Sequence, residues 1–279
     1  MPRNIHPTAI VEPGAEIGEN VTIEAYATVK GNVVLGDEVT VKAHAYIDGH
    51  TQVGDGSLIW PFASVGTKCQ DRKYRGEKTY VSIGKGCEIR ECATINSSTQ
   101  ENSIVRIGDH CLIMAYCHIA HNCTLGNRVI MSNNATLAGH IEVEDFAIIG
   151  GMTPVHQNVR VGCYAMVGGM SRVTQDVPPY TIGGGIPFKF GGLNLIGLKR
   201  NGFQYETRKQ LTRAFKLVYR SGLRLEESLR RIENEIEMLP EIEHWINFCR
   251  NSKRGIIGLQ GITQGQLEDY DDYSQYLEE

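Results

Sequence analysis

VRIGDHCLIMAYCHIAHNCTL, residues 105–125, repeats itself every six residues. Ile107, Ile113, Ile119 and Leu125 hold the sixth positions, and the series runs on unbroken through Met131, Leu137, Val143, Ile149, Val155, Val161, Val167 and Val173. Two places before each lies a second series of mostly small residues: Val105, Cys111, Cys117, Cys123, Val129, Ala135, Ile141, Ala147, Thr153, Val159, Ala165 and Ser171. A period of six fits neither a helix at 3.6 nor the alternation of a strand. It is the hexapeptide signature of a parallel β-helix, in which the chain coils and each short strand pairs with the coil above. The large aliphatic fills the coil, and the small residue shares that interior where the strand turns a corner.

Three faces of six make an eighteen-residue coil, so residues eighteen apart stack at about 4.8 Å. This places His121, Gly139 and Gln157 in one column and Asn122, His140 and Asn158 in the next. His118 points outward beside Ile119. Residues with acid–base capacity therefore gather on one outer edge, and the function is sought there.

Outward from this block the same period starts at Ile5 and holds through Val11, Ile17, Ile23, Val29, Leu35, Val41, Ile47, Val53, Ile59 and Val65. It breaks at residues 67–80, TKCQDRKYRGEKTY, a charged loop thrown out of the coil. It resumes at Ile83, Ile89 and Ile95, then breaks again at NSSTQENS, residues 96–103. Loops that interrupt a rigid solenoid commonly carry function; the second serves equally well as a neutral insertion. Pro178 and Pro179 are expected to end the strand pairing. Residues after 203 change to a helical period: Leu211, Phe215 and Val218; then Leu225, Leu229, Ile232, Ile236 and Leu239; then Ile242, Trp245, Ile246 and Cys249. These stripes are core for a small helical domain. Arg208, Lys209, Arg213, Lys216, Arg220, Arg224, Arg230 and Arg231 are assigned to its solvated faces. The expected organisation is a β-helix over 1–180, a helical domain over 181–260 and a disordered acidic tail over 261–279.

The 279 residues carry a formal net charge of -4, with 31 Gly and 22% charged residues. No window nears the run of about eighteen apolar residues that a membrane span needs. MPRNIHPTAIVEPGAEIG, at the start, has no apolar core of a signal peptide, so the expected compartment is the cytoplasm. Eight Cys invite a disulfide or zinc reading. The repeat argues against both, because Cys87, Cys111, Cys117 and Cys123 occupy the small core position. Cys69, Cys92, Cys163 and Cys249 show no metal-ligand spacing. No cofactor, no metal, no nucleic-acid partner and no integral membrane segment are expected.

HIAHNC at 118–123, NNATLAGH at 133–140, GGMTPVHQ at 150–157, QDRKY in the first loop and GLKRNGF at 197–203 together closely resemble one family. It is that of the acyl-carrier-protein:UDP-N-acetylglucosamine O-acyltransferases, which begin lipid A synthesis. The resemblance runs from about Ile5 to about Gly255 with the motif spacing kept. It implies a left-handed coil, which periodicity does not give, and a homotrimer with active sites in clefts between prisms. It implies acyl carrier protein as acyl donor and UDP-N-acetylglucosamine as acceptor.

By that match His121 is the general base and Gly139 the oxyanion donor. Gln70, Asp71 and Lys73 resemble loop residues that bind the sugar nucleotide. His118, His140 and Gln157 look like further substrate contacts, and His156 like a residue that orients its neighbours. Asn194 and Arg200 resemble uridine, phosphate or carrier contacts. Gly169 matches the position that meets the end of the acyl chain, which points to a long chain. Three departures stand out: Asn122, Ile196 and Asn201 occupy places that in the family are acidic, acidic and basic. Rival readings are a zinc hydratase with His118 and His121 as ligands, an acetyl-CoA-dependent transferase, a sibling N-acyltransferase, and a structural β-helix. The QDRKY loop and helical tail argue against the first. The repeat starting at residue 5 argues against the third, and the His column against the last.

Overall fold

The computed structural model describes residues 4–259. The acidic tail expected over 261–279 lies outside the described residues. The repeat forms short strands, most of two residues, stacked in three parallel sheets. On the first face Ile5, Ile23, Val41, Ile59, Ile89, Ile113, Met131, Ile149 and Val167 are successive rungs. Val11 to Val155 form the second face and Ile17 to Val161 the third, extended by single bridges to Val173 and Val177. With few exceptions the sixth-position side chains and their small companions are buried, and they make one continuous core inside the prism. The coil is left-handed, with helices at the C-terminal end.

Corners explain the small residues and the polar columns alike. Each coil turns through residues with positive φ, among them Asn122 at 57°, His140 at 59° and Asn158 at 61°. The N–H of such a corner residue donates to the coil before it: His140 N to His121 O at 3.0 Å, Asn158 N to Gly139 O at 3.1 Å. An Asn or His tolerates this left-handed conformation better than a β-branched residue does.

The two breaks in the period are insertions that leave the stack undisturbed. Val53 pairs with Ile83, twelve residues later than a coil requires, and Ile83 with Ile107, six later. The two loops brace each other. Ser97 N donates to Thr67 O at 2.8 Å, Asn102 N to Lys78 O at 2.8 Å, and Lys78 N to Glu101 Oε2 at 2.9 Å.

Pro178 and Pro179 do not end the pairing. Val177 N donates to Arg160 O and Tyr180 N to Cys163 O, so the prolines occupy the corner between two bonded positions, where no donor is needed. The first face continues through Thr181–Gly184, parallel to Met166–Val167, and closes with the antiparallel strand Lys189–Leu193. Four helices follow: α1 Leu195–Arg200, α2 Tyr205–Tyr219, α3 Leu225–Glu235 and α4 Pro240–Arg250. Helix α1 falls in a stretch that has no helical period, and Asn194 starts it by accepting from Gly197 N at 3.1 Å. The helices share a second core built on Leu211, Phe215, Leu229, Ile232, Trp245 and Phe248. Arg208 belongs to this buried side of α2, not to a solvated face: it precedes Leu211 and Phe215 by three and seven residues and is 7% exposed. Seven charged side chains of the expected basic face remain, but several are tied to α2 and α3 carboxylates, as Lys209 is to Glu206 and Arg231 to Glu235.

Candidate active site

His121 lies at a corner of the prism with its ring tucked inward, only 9% exposed. Its Nδ1 is 3.0 Å from Asn122 Oδ1. An amide oxygen only accepts, so Nδ1 carries the proton and the Nε2 lone pair is free. Asn122 Oδ1 also accepts from the Thr99 hydroxyl at 2.8 Å. Thr99 comes from the second inserted loop, which therefore reaches the site and holds the group that holds the imidazole. Nothing in the polar run NSSTQENS distinguishes Thr99 from its neighbours.

The Nε2 face looks toward the first loop. Asp71 Oδ2 is 3.5 Å from His121 Nε2. A carboxylate therefore stands beside the imidazole although the following residue is Asn122; the first loop delivers it to the opposite ring nitrogen. The Lys73 N–H, donating at 2.9 Å, holds the Asp71 carboxyl below its usual range, and a proton taken up by His121 adds to this. The His140 ring meets the His121 ring edge to face, with centroids 5.1 Å apart. Burial pushes His140 toward its neutral form, and His121 adds to this. His118 is lowered for the same two reasons in the same order, and its Nδ1 is 2.7 Å from Thr94 Oγ1.

Gly139 is buried directly against His121. A Cβ built on it would overlap the imidazole, 2.8 Å from Nδ1 and nearer still to Cε1 and Nε2. Glycine is required here because the ring occupies the space a side chain would need. The Gly139 carbonyl accepts from Asn158, while its N–H donates to no group among the described residues.

The remaining expected residues are distributed unevenly. Gln70 and Lys73 are exposed on the first loop beside Asp71. Gln157 is exposed one coil above Gly139, and His156 Nδ1 is 3.2 Å from the Gln157 carbonyl. Gly169 is exposed one coil above Gly151, whose carbonyl oxygen would be 3.2 Å from an added Cβ. Asn194 is 8% exposed and engaged at both ends of its amide, since Nδ2 donates to Tyr164 O at 3.0 Å. Arg200 is exposed in the last turn of α1. No hydrogen bond, ion pair or ring contact joins Asn194 or Arg200 to the histidines among the described residues. Of the departures, Ile196 is 58% exposed, and Asn201 caps α1 by donating to Gly197 O at 2.8 Å.

The eight Cys are all free, five of them inside the two cores. Burial pushes the Cys117 thiol up to about 11 and Cys123 up to about 12, so both stay protonated at neutral pH.

Known proteins show the same arrangement of sequence and fold. Residues 14–49 and 104–139 match the bacterial transferase hexapeptide family, and residues 176–257 match the second domain of the UDP-N-acetylglucosamine O-acyltransferase family. The chain is 58% identical over 267 residues to an acyl-[acyl-carrier-protein]--UDP-N-acetylglucosamine O-acyltransferase of Chlamydia caviae, covering 95% of each. It is 48% identical to the enzyme of that name from Thiobacillus denitrificans, covering 91% of this chain and 98% of the other. Among solved structures, a UDP-N-acetylglucosamine acyltransferase from Campylobacter jejuni superimposes with a TM-score of 0.85 at 43% identity, over 91% of this chain and 99% of that one. The corresponding figures for a Bacteroides fragilis acyltransferase are 0.88, 39%, 90% and 99%. At these identities the hydratase and acetyl-CoA readings lapse, and the chain belongs to the family of acyl-[acyl-carrier-protein]--UDP-N-acetylglucosamine O-acyltransferases.

Proposed function

We propose that this chain moves a long fatty acyl group from an acyl-carrier-protein thioester to the 3-hydroxyl of the glucosamine in UDP-N-acetylglucosamine, opening lipid A synthesis. The observation that carries the mechanism is the pairing of an oriented imidazole with an unengaged backbone N–H one coil above it. His121 Nε2 takes the hydroxyl proton as the oxygen attacks the thioester carbonyl. The tetrahedral oxyanion is met by the Gly139 N–H, a donor fixed in place before reaction and therefore free of reorganisation cost. Collapse breaks the carbon–sulfur bond, and the leaving thiolate takes the proton back from the imidazolium. Asp71, 3.5 Å from Nε2, favours that imidazolium while it lasts. Asn122 alone, being neutral, offers orientation without charge.

Gln70, Asp71, Lys73, His118, His140 and Gln157 are the sugar-nucleotide contacts in this reading, with His156 orienting its neighbours. Asn194 and Arg200 make no contact with His118, His121, His140 or His156 among the described residues. Their roles toward uridine, phosphate or carrier fit a homotrimer whose clefts are completed by a neighbouring prism. Ile196 and Asn201 leave that end less charged than in relatives with acidic and basic residues there. None of the described helices is long and apolar enough to cross a membrane. Eight free thiols fit a reducing compartment, and the cytoplasm is the compartment assigned.

Purified protein assayed with UDP-N-acetylglucosamine and a panel of acyl carrier proteins tests the whole reading. Ester formed on the 3-hydroxyl with a long-chain carrier is the expected product. Transfer from acetyl-CoA with none from any acyl carrier would overturn it.

A further inference from the structure

Three side chains meet where α4 docks on the last coils, and the acyl-transfer chemistry uses none of them. Glu144 follows the strand Glu142–Val143, Cys163 lies just past Arg160–Val161 on the next coil, and His244 comes from α4. His244 Nε2 is 2.8 Å from Glu144 Oε2, and the Cys163 N–H donates to the same oxygen at 2.8 Å. One donor atom from each residue, a carboxylate oxygen, a thiol sulfur and an imidazole nitrogen, all lie within 4.8 Å of one another. Among the described residues no other three His, Cys, Asp or Glu side chains converge in this way.

We infer that Glu144, Cys163 and His244 form a binding site for a tetrahedral divalent cation of the zinc class, one that clips α4 to the coil. The donor set selects the metal. Calcium and magnesium take oxygen ligands, whereas zinc accepts thiolate, imidazole and carboxylate together. Zinc bonds of about 2.0–2.3 Å put neighbouring ligand atoms about 3.3–3.8 Å apart. The thiol therefore has to swing inward by about 1.5 Å at most, and the His244–Glu144 pair to open by about 0.5 Å, to reach that spacing. All three residues are partly exposed, which leaves a fourth position for water.

The surroundings both help and oppose. Arg160 Nη2 lies 3.6 Å from Glu144 Oε1 and Arg160 Nε 3.3 Å from Glu142 Oε2. The guanidinium thus occupies the other carboxylate oxygen and aims Oε2 at the site, as outer-shell partners of metal ligands do. Its charge also lowers the affinity for a dication, so the site is weaker than a Cys-rich structural one. The ligands are nineteen and eighty-one residues apart in the chain, which is why Cys163 belongs to no recognisable ligand spacing.

The test uses the full chain, stripped with chelator and titrated with zinc and, separately, with cobalt(II). One ion per chain, a thiolate-to-cobalt charge-transfer band and a rise in Tm with zinc are expected. Cys163→Ser should remove the band, and both it and His244→Ala should weaken zinc binding by at least the about 100-fold that a lost outer-shell partner can cost. Both variants should keep acyl transfer, which shows that they fold. Zinc should also slow alkylation of Cys163 in the wild-type chain, mapped by mass spectrometry, a readout that needs no variant. Absence of stoichiometric binding, or alkylation of Cys163 at the same rate with and without zinc, would overturn the proposal.

Discussion

Gly139 and His121 interlock: the imidazole lies against the glycine Cα, in the space where a Cβ would stand. The proposed base and the proposed oxyanion donor are therefore set by one packing contact between successive coils. Gly139→Ala should keep the β-helix, whose core it does not enter, and push the ring aside. A displacement near 1 Å costs about 100-fold in rate. We expect kcat to fall by about that factor with an unchanged circular dichroism spectrum; unchanged kcat would show that the ring can yield without cost.

Thr99 and Asn122 act on the same ring from the far side. Thr99→Val removes one donor to the Asn122 amide at nearly constant volume. A lost hydrogen bond costs about 1 kcal/mol, a factor of about five, and we expect that loss in kcat with little change in KM. Thr99→Ser should restore it. Asn122→Asp places a carboxylate on Nδ1 and favours the imidazolium, so the acid limb of the pH–rate profile should move to higher pH. A profile that stays in place would remove Asn122 from the orienting role.

Acid should destabilise the fold partly through His118. Burial holds its folded pKa below the ordinary value. Below about 6.5 the unfolded chain binds a proton that the folded chain refuses, so stability falls as pH drops from there toward the folded pKa and levels off beneath it. Above about 6.5 both states are neutral at this site and it contributes no slope. His118→Gln should flatten Tm against pH in that window. An equally steep curve for the variant would assign the slope to other groups.

Much of the prism was legible because a buried coil admits few residue types. The sixth positions from Ile5 to Val173 gave the rungs and the three-faced stack directly. The hand of the coil came from resemblance, since the period is the same for either hand. Insertions of twelve and six residues were visible as breaks, but Thr99 was not singled out, because one hydroxyl in a polar loop carries no pattern. Arg208 is assigned to water on its charge, because long cationic side chains usually stay there, and its burial on α2 leaves no mark in the local sequence. Helix α1 was missed because six residues are too few to show a period. The Glu144, Cys163 and His244 cluster depends on α4 docking against the coil, a tertiary contact that no local spacing records.

Gly169 sets the last expectation on specificity. Its φ lies outside the left-handed region and an added Cβ meets only the Gly151 backbone, at 3.2 and 3.6 Å, so a side chain fits with a small shift. If the end of the acyl chain meets Gly169, as the resemblance implies, Gly169→Met should block it there, and each methylene left unburied forfeits about 0.8 kcal/mol. Competition between carriers loaded with different chains should move from long to shorter ones while total activity persists. An unchanged ranking would make Gly169 a corner glycine only.

In the proposed mechanism His121 takes the proton from the sugar hydroxyl. Single-turnover transfer from a long-chain acyl carrier protein to UDP-N-acetylglucosamine, measured for wild type and His121→Ala, tests it most directly. General-base catalysis is worth about 10²–10⁴-fold, so the variant should lose at least about 100-fold in rate while keeping its circular dichroism and sedimentation behaviour. A folded His121→Ala protein that transfers the acyl group at nearly the wild-type rate would contradict the account.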